Sequence, residues 1–183
     1  MDTASARVLA KLYVGDRQGA TEAAAGQALD VFAAAAMDDD DQLQRVLSSD
    51  PEAVRARTGD GFTALHLAAF FGTASGVRTL LAHGADASSV ANNAMAVTPL
   101  HSAAAHGDIE IVTALLEAGS PINAQQSGGY TALHAAAMQG NVAMVRILMA
   151  HGSDPVLADD LGSTAQDYAI RSGHVELASL LRQ

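Results

Sequence analysis

The chain of 183 residues contains no cysteine and few aromatic residues. Without cysteine there is no disulfide, no thiolate metal ligand and no cysteine nucleophile, although this absence says little about the cellular compartment. Four phenylalanines and three tyrosines supply all the large rings, because tryptophan is also absent. Alanine supplies much of the apolar content, so we expect thin packing by small side chains and no bulky globular core.

Basic residues are scarce as well, with 10 Lys and Arg against 20 Asp and Glu and a formal net charge of −10. An acidic surface repels a phosphate backbone, so nucleic acid is not an expected partner. The first residues lack the basic segment and apolar run of a signal peptide, and no stretch approaches the roughly 18 apolar residues of a membrane span. The sequence therefore predicts a cytoplasmic protein with no membrane partner, unless a signal peptide has been removed.

A short motif recurs along the chain at a nearly constant spacing. Its three clear copies begin at Thr63, Thr98 and Thr131, and a degenerate copy begins at Thr164, so that successive threonines are 35, 33 and 33 residues apart. A glycine follows each threonine by nine residues, at Gly72, Gly107, Gly140 and Gly173. Several markers that keep one period indicate a repeat protein.

This pattern resembles the ankyrin-repeat family, whose unit of about 33 residues is a turn and two helices. The family signature is threonine, proline, leucine, histidine, any residue and alanine, and Thr98 to Ala103 matches it at every position. The resemblance implies an all-α repeat solenoid, an array of helix-turn-helix units with protruding β-hairpin or loop fingers. We count about five ankyrin repeats including two caps, at approximately residues 27–57, 58–92, 93–125, 126–158 and 159–183.

Residues 1–26 precede the repeats. Apolar residues at helical spacing predict a helix over residues 5–14 that packs on the first repeat, and disorder of residues 1–20 is the alternative. Residues 21–25 are expected to lead into the first repeat helix. At the other end, Gln166 and Asp167 replace the leucine and histidine of the motif, which predicts a polar terminal cap.

The threonine and histidine of each motif have a predicted structural role. Threonine ahead of an apolar run caps a helix, and the resemblance implies that the histidine bonds to it and to neighbouring backbone. Stacked repeats lie roughly 8–10 Å apart, whereas zinc needs ligands at about 2 Å from one centre, so the stacked histidines cannot share a metal. These structural residues are Thr63, His66, Thr98, His101, Thr131 and His134.

No other cluster points to a cofactor, a metal or catalysis. The run from Asp38 to Asp41 lacks the alternating oxygens and central glycine of a calcium loop, and aspartates at the start of a helix are favourable there. The chain also lacks a nucleophile elbow, a phosphate-binding loop and a dinucleotide fingerprint. We therefore expect a protein without a cofactor that is not an enzyme.

The resemblance implies that a partner binds the loop tips and the exposed side of the first helices, which together form a concave groove in this family. The residues at those positions are unusually apolar, and we take as candidate partner-binding residues Phe62, Phe70, Phe71, Met95, Val97, His106, Tyr130 and Met138. The spacing from Gly84 to Thr98 is 14 positions, whereas the corresponding spacing in the next two repeats is 12. The two extra residues predict a longer or bulged loop that belongs to the groove.

Three functional hypotheses follow from this surface. The leading one is a protein-protein interaction module that binds another protein in the groove. The second is a homodimer that buries the same apolar patch, and the third is an enzyme or metal protein that uses His106 and nearby aspartates. A purely structural alternative is that Phe62, Phe70 and Phe71 pack on each other or on the loops.

Overall fold

A computed structural model describes residues 3–182 of the protein, which form twelve α-helices and one short 3-10 helix. The helices are α1 Thr3–Tyr13, α2 Arg17–Ala24, α3 Val31–Met37, α4 Asp40–Ser49, α5 Ala64–Phe71, α6 Ala74–Ala82, α7 Pro99–His106, α8 Ile109–Glu117, α9 Ala132–Gln139, α10 Val142–Ala150, α11 Ala165–Arg171 and α12 Val175–Leu180. The 3-10 helix is Pro51–Arg55. Residues 3–182 contain isolated β-bridges but no strand.

Helices α3 to α12 form five successive pairs that stack in chain order. Each first helix packs on the first helix of the next pair, so α3, α5, α7, α9 and α11 form one row. The second helices α4, α6, α8 and α10 pack beside one another in a second row. The expected all-α repeat solenoid is therefore confirmed.

The first helices begin and end where the motif predicts. Thr63 caps α5, and the helix stops at Gly72 in the left-handed conformation with φ +75°. Gly107 and Gly140 end α7 and α9 in the same way, and Asp38 replaces the glycine at the end of α3 with φ +62°. A residue with φ > 0 reverses the chain within one turn, so the second helix of the pair returns along the first.

Small side chains allow the first helices to approach closely. In α5, Ala64, Ala68 and Ala69 have no exposed surface, and the corresponding alanines of α7 and α9 are equally buried. The second helices add the larger core side chains, which are fully buried, such as Leu80, Ile111, Leu115 and Leu148. The core is thus a continuous thin layer between the two rows.

The N-terminal residues form two helices rather than one. Helix α1 packs on α2 and on α3 through buried Val8, Leu9 and Leu12. Residues 21–25 do not lead into the first repeat helix as expected. They lie largely in α2, because Asp16 caps a separate helix there and the first repeat helix starts only at Val31.

The last repeat differs from the polar cap that the sequence suggested. Gln166 and Asp167 do replace the motif pair, yet the exposed side chains of α11 and α12 include Ile170, Val175 and Leu180. In the internal repeats the position of Ile170 is held by a fully buried alanine, Ala69, Ala104 or Ala137. The C-terminal face is therefore partly apolar.

Candidate partner-binding surface

The motif histidines connect each repeat to the loop of the next. His66 accepts a hydrogen bond at Nδ1 from the backbone N–H of Thr63 (3.2 Å), so its proton lies on Nε2, which donates to the carbonyl of Val97 (3.0 Å). His101 and His134 reach the carbonyls of Tyr130 and Ser163 in the same manner, each at 3.1 Å. The three side chains are structural links, as the sequence predicted.

Burial keeps these imidazoles neutral. It lowers the pKa of His66 to about 4, and nearby Arg57 and His101 act in the same direction. The pKa values of His101 and His134 are lowered too, again mainly by burial. A neutral ring is what the geometry needs, because a proton on Nδ1 would remove the acceptor of the threonine N–H.

We call the first helices of the repeats, α3, α5, α7, α9 and α11, the inner helices, and the second helices the outer helices. The extra residues of the second loop form a bulge over the inner helices. Asn93 donates through its side chain to the carbonyl of Asp60 (2.8 Å) and accepts from the backbone N–H of Met95 (3.0 Å). Ala96, the last residue of the bulge, has φ +51°, a conformation that alanine adopts rarely. The bulge holds the Met95 side chain outward, where it is 52% exposed.

One apolar cleft of about 520 Å³ lies between the loop tips and the inner helices of the second and third repeats. We call it the cleft, and its lining residues are Tyr13, Asp60, Phe62, His66, Leu67, Phe70, Met95 and Ser102. Phe70 is 46% exposed and Tyr13 is 49% exposed. The structure therefore brings together Phe62, Phe70 and Met95 of the predicted set.

Tyr13 belongs to the cleft although it lies outside the repeats. It is the last residue of α1, and its ring centroid lies 6.3 Å from that of Phe70 and 5.3 Å from that of Phe71. Its pKa is raised by burial and by the negative charge of Asp60. Helix α1 thus supplies one wall of the cleft.

Phe71 has a different role from Phe70. It is half-buried against the core and packs edge-on to Phe70 at 5.1 Å between centroids, but it does not line the cleft. Its contact with Tyr13 connects the second repeat to α1. The contacts of Phe71 therefore favour the structural alternative, in which this side chain packs on its neighbours, over a role in binding a partner.

Tyr130 and Met138 lie in a second cluster, further along the same row of inner helices. The Tyr130 hydroxyl donates to Met138 Sδ (3.5 Å), and its ring stacks on His134 and meets Tyr168 edge-on. Burial raises the pKa of Tyr130 to about 12, and the neighbouring Tyr168 and Asp159 add to this effect.

Tyr168 closes this second cluster at the end of the array. It donates to Asp159 Oδ2 (2.7 Å), and the guanidinium of Arg171 lies 4.4 Å from its ring centroid. Its ring also meets that of His134, at 5.5 Å between centroids. The aromatic residues of the surface are therefore divided between two places.

The remaining predicted residues, Val97 and His106, do not line the cleft. Val97 contributes its carbonyl, which accepts from His66 and from the backbone N–H of Ala91. His106 is exposed at the end of α7, and its imidazole lies over the backbone of Gly72. Both therefore support the surface rather than form the cleft.

The family of the chain follows from a family model that describes ankyrin repeats in three copies. It matches residues 31–126 and 118–183, which together exceed half of the chain. The chain belongs to the ankyrin-repeat family. Ankyrin repeats are in general protein-protein interaction modules and are typically not enzymes. In a comparison with curated proteins, no significant match is found.

Helices α1 and α2 lie outside the residues that the ankyrin-repeat model matches. Over residues 3–182, no helix is long and apolar enough to cross a membrane. Within the same residues, no group of three or more histidine, aspartate or glutamate side chains is placed so that it could hold a metal ion.

Proposed function

We propose that this ankyrin-repeat protein is an interaction module or adaptor that binds a partner protein through its inner face, with the cleft as the main anchor. The observation that carries the proposal is the exposure of large apolar side chains in a concave place. Tyr13, Phe70 and Met95 are each about half exposed around the cleft. Side chains of this size gain free energy when a partner removes them from water.

The area is appropriate for an anchor within a larger contact. An aromatic side chain buries roughly 150–250 Å² when it is covered, so the exposed parts of these residues form a patch of a few hundred Å². A stable complex buries about 800 Å² on each partner, which is more than the cleft offers. The second cluster, with Met138 and Tyr130, lies on the same row of helices and extends the contact.

The composition supports a protein rather than a nucleic acid as the partner. The chain has a formal net charge of −10, and a phosphate backbone would be repelled. A cytoplasmic location, the absence of a cofactor and the absence of a membrane partner remain part of the proposal. Helix α1, which belongs to the N-terminal extension, serves in it as a wall of the binding surface.

Affinity capture from a lysate of the source cells tests the proposal with single substitutions. Phe70→Ala should reduce capture of the specific partner at least tenfold, because hot-spot aromatics at an interface commonly contribute that much. Val142→Ala is the control, since Val142 is 40% exposed and belongs to the outer helix α10. Phe71 is left unchanged because it packs on the core and on Tyr13, so its substitution would lower stability as well as any binding.

Two outcomes would contradict the proposed binding surface. Partner capture that survives Phe70→Ala places the contact elsewhere, and equal loss in the Val142→Ala control shows that the effect is not specific to the cleft.

The alternative that a second copy of the chain occupies the cleft is tested by sedimentation at tens of micromolar. We expect a monomer, because two copies that each carry a charge of −10 repel one another.

A further inference from the structure

We infer that the partner segment bound in the cleft carries a cationic side chain, arginine or lysine, within two residues of a bulky apolar side chain. This inference rests on the proposed function, since it names the chemistry of the occupant of the same cleft. Three observations support it: one unpaired carboxylate at the cleft, no cation among the described residues that line the cleft, and aromatic faces beside the carboxylate.

Among the residues that the structure describes, Asp60 is the one acidic residue that lines the cleft. It is exposed at the loop tip of the second repeat, and among the described residues no hydrogen bond or ion pair engages its carboxylate. The bond that Asn93 makes to this residue uses the backbone carbonyl and leaves the carboxylate free. A negative charge beside apolar walls favours a cation in the occupant.

The basic residues next in sequence to the cleft residues Asp60 and Tyr13 are Arg57 and Lys11, and both have other partners. The Arg57 guanidinium donates to the carbonyls of Gly61 and Val90 and to the Ser89 hydroxyl. Lys11 forms an ion pair with Asp16 at 2.9 Å. Neither lines the cleft, so a positive charge must come from the partner.

The aromatic rings favour the same charge. Tyr13 and Phe70 stand beside one another, and Phe62 is held by an edge-on contact with His66 at 5.8 Å between centroids. A cation that binds Asp60 would lie near the faces of these rings, and cation–π attraction adds to the ion pair. An anionic occupant would meet repulsion from both the carboxylate and the ring faces.

The size and the walls of the cleft require an apolar neighbour beside the cation. A volume of about 520 Å³ lies within the range of roughly 300–1,000 Å³ that is typical of ligand sites, so more than one side chain fits. Leu67, Met95 and Phe62 line its apolar part. Methionine adapts its shape to different apolar side chains, so the apolar residue of the partner can be leucine, isoleucine, methionine or phenylalanine.

A random octapeptide library displayed on phage and selected on the full chain tests this inference. We expect enrichment of arginine or lysine within two positions of a large apolar residue. The best selected peptide should bind Asp60→Asn about two- to tenfold more weakly than the original chain. Asp160→Asn is the matched control, since Asp160 is an exposed loop residue in the fifth repeat outside the cleft, and it should bind the peptide unchanged.

A paired change in the peptide assigns the loss to one contact. Replacement of its arginine by citrulline should weaken binding to the original chain by about the same factor and have little further effect on Asp60→Asn. Enriched peptides without a cation, equal affinity for Asp60→Asn, or no enrichment at all would each overturn the inference. The proposed function fails separately, when partner capture survives Phe70→Ala, so the two results can be distinguished.

Discussion

Acidification should destabilise the solenoid through the buried motif histidines, and His66 gives the largest measurable effect. Its pKa is about 4 in the folded chain, whereas an unperturbed histidine titrates near 6.5. Between these values the unfolded chain binds a proton that the folded chain does not. The free energy of unfolding therefore falls as the pH is lowered through this window.

The size of the effect follows from the two pKa values. The whole difference corresponds to on the order of 3 kcal/mol for His66, of which about 2 kcal/mol is lost by pH 5. His101 and His134 act in the same direction, because their pKa values are lowered too. The aspartates with lowered pKa values, such as Asp159, lose their contribution at lower pH, since unfolded aspartate titrates near 3.8.

The assay is urea unfolding followed by circular dichroism at pH 7, 6 and 5 and constant ionic strength. His66→Gln removes the titrating group but keeps a side chain that can accept from the backbone N–H of Thr63, as in a threonine–glutamine capping box. It should lower the free energy of unfolding at pH 7 by about 1 kcal/mol for the lost bond to Val97. The further fall from pH 7 to pH 5 should be smaller than in the original chain by about 2 kcal/mol.

Val77→Ala is the control for this experiment. Val77 is fully buried in α6, so its truncation lowers stability by roughly 1–3 kcal/mol and leaves every histidine in place. Its stability should still fall with pH as in the original chain. If the fall in stability between pH 7 and pH 5 is unchanged in His66→Gln, then His66 is not the group whose protonation destabilises the chain.

Three further predictions, which use five substitutions, test the packing of the surface by thermal or urea unfolding. Gly61→Ala should destabilise more than Gly84→Ala. Both glycines have φ near +80° and lose roughly 1–2 kcal/mol as alanine, but only the new Cβ at position 61 collides with backbone atoms, those of Asn92. Equal losses would contradict this. Phe71→Ala should lower the free energy of unfolding by about 1–2 kcal/mol and Phe70→Ala by less than about 1 kcal/mol, because Phe71 packs on the core and Phe70 is half exposed. The reverse order would contradict the different roles of these two phenylalanines. Tyr168→Phe should lower the free energy of unfolding by about 1 kcal/mol, because the hydrogen bond to Asp159 is lost. An unchanged free energy of unfolding would show that this hydrogen bond does not stabilise the fold.

The repeat period predicted most of the fold because each marker has a local cause. Threonine caps, left-handed glycines and buried alanines depend on residues within one repeat or its neighbour, so their spacing fixes the helices. The bulge of the second loop followed from a count of residues. The two helices before the repeats lie outside this period, and the sequence did not resolve α2 as a separate helix.

The candidate site could be predicted only in part. Phe62, Phe70 and Met95 share the cleft because they occupy loop and first-helix positions on the same side of two neighbouring repeats, which the register reveals. Tyr13 was not predicted, since its contact with α5 joins segments that are distant in sequence and follow different patterns. The spacing of Leu9, Leu12 and Tyr13 on α1 was the available signal, but it marks a helix face without showing what that face meets.

Photo-crosslinking shows directly whether a partner protein binds the inner face at the cleft. A photoreactive amino acid is placed at Met95, on the bulge over the cleft, and in a second variant at Arg146, which is exposed on the outer helix α10. We expect the captured partner to crosslink from position 95 and not from position 146. Crosslinking from position 146 with none from position 95 would contradict it.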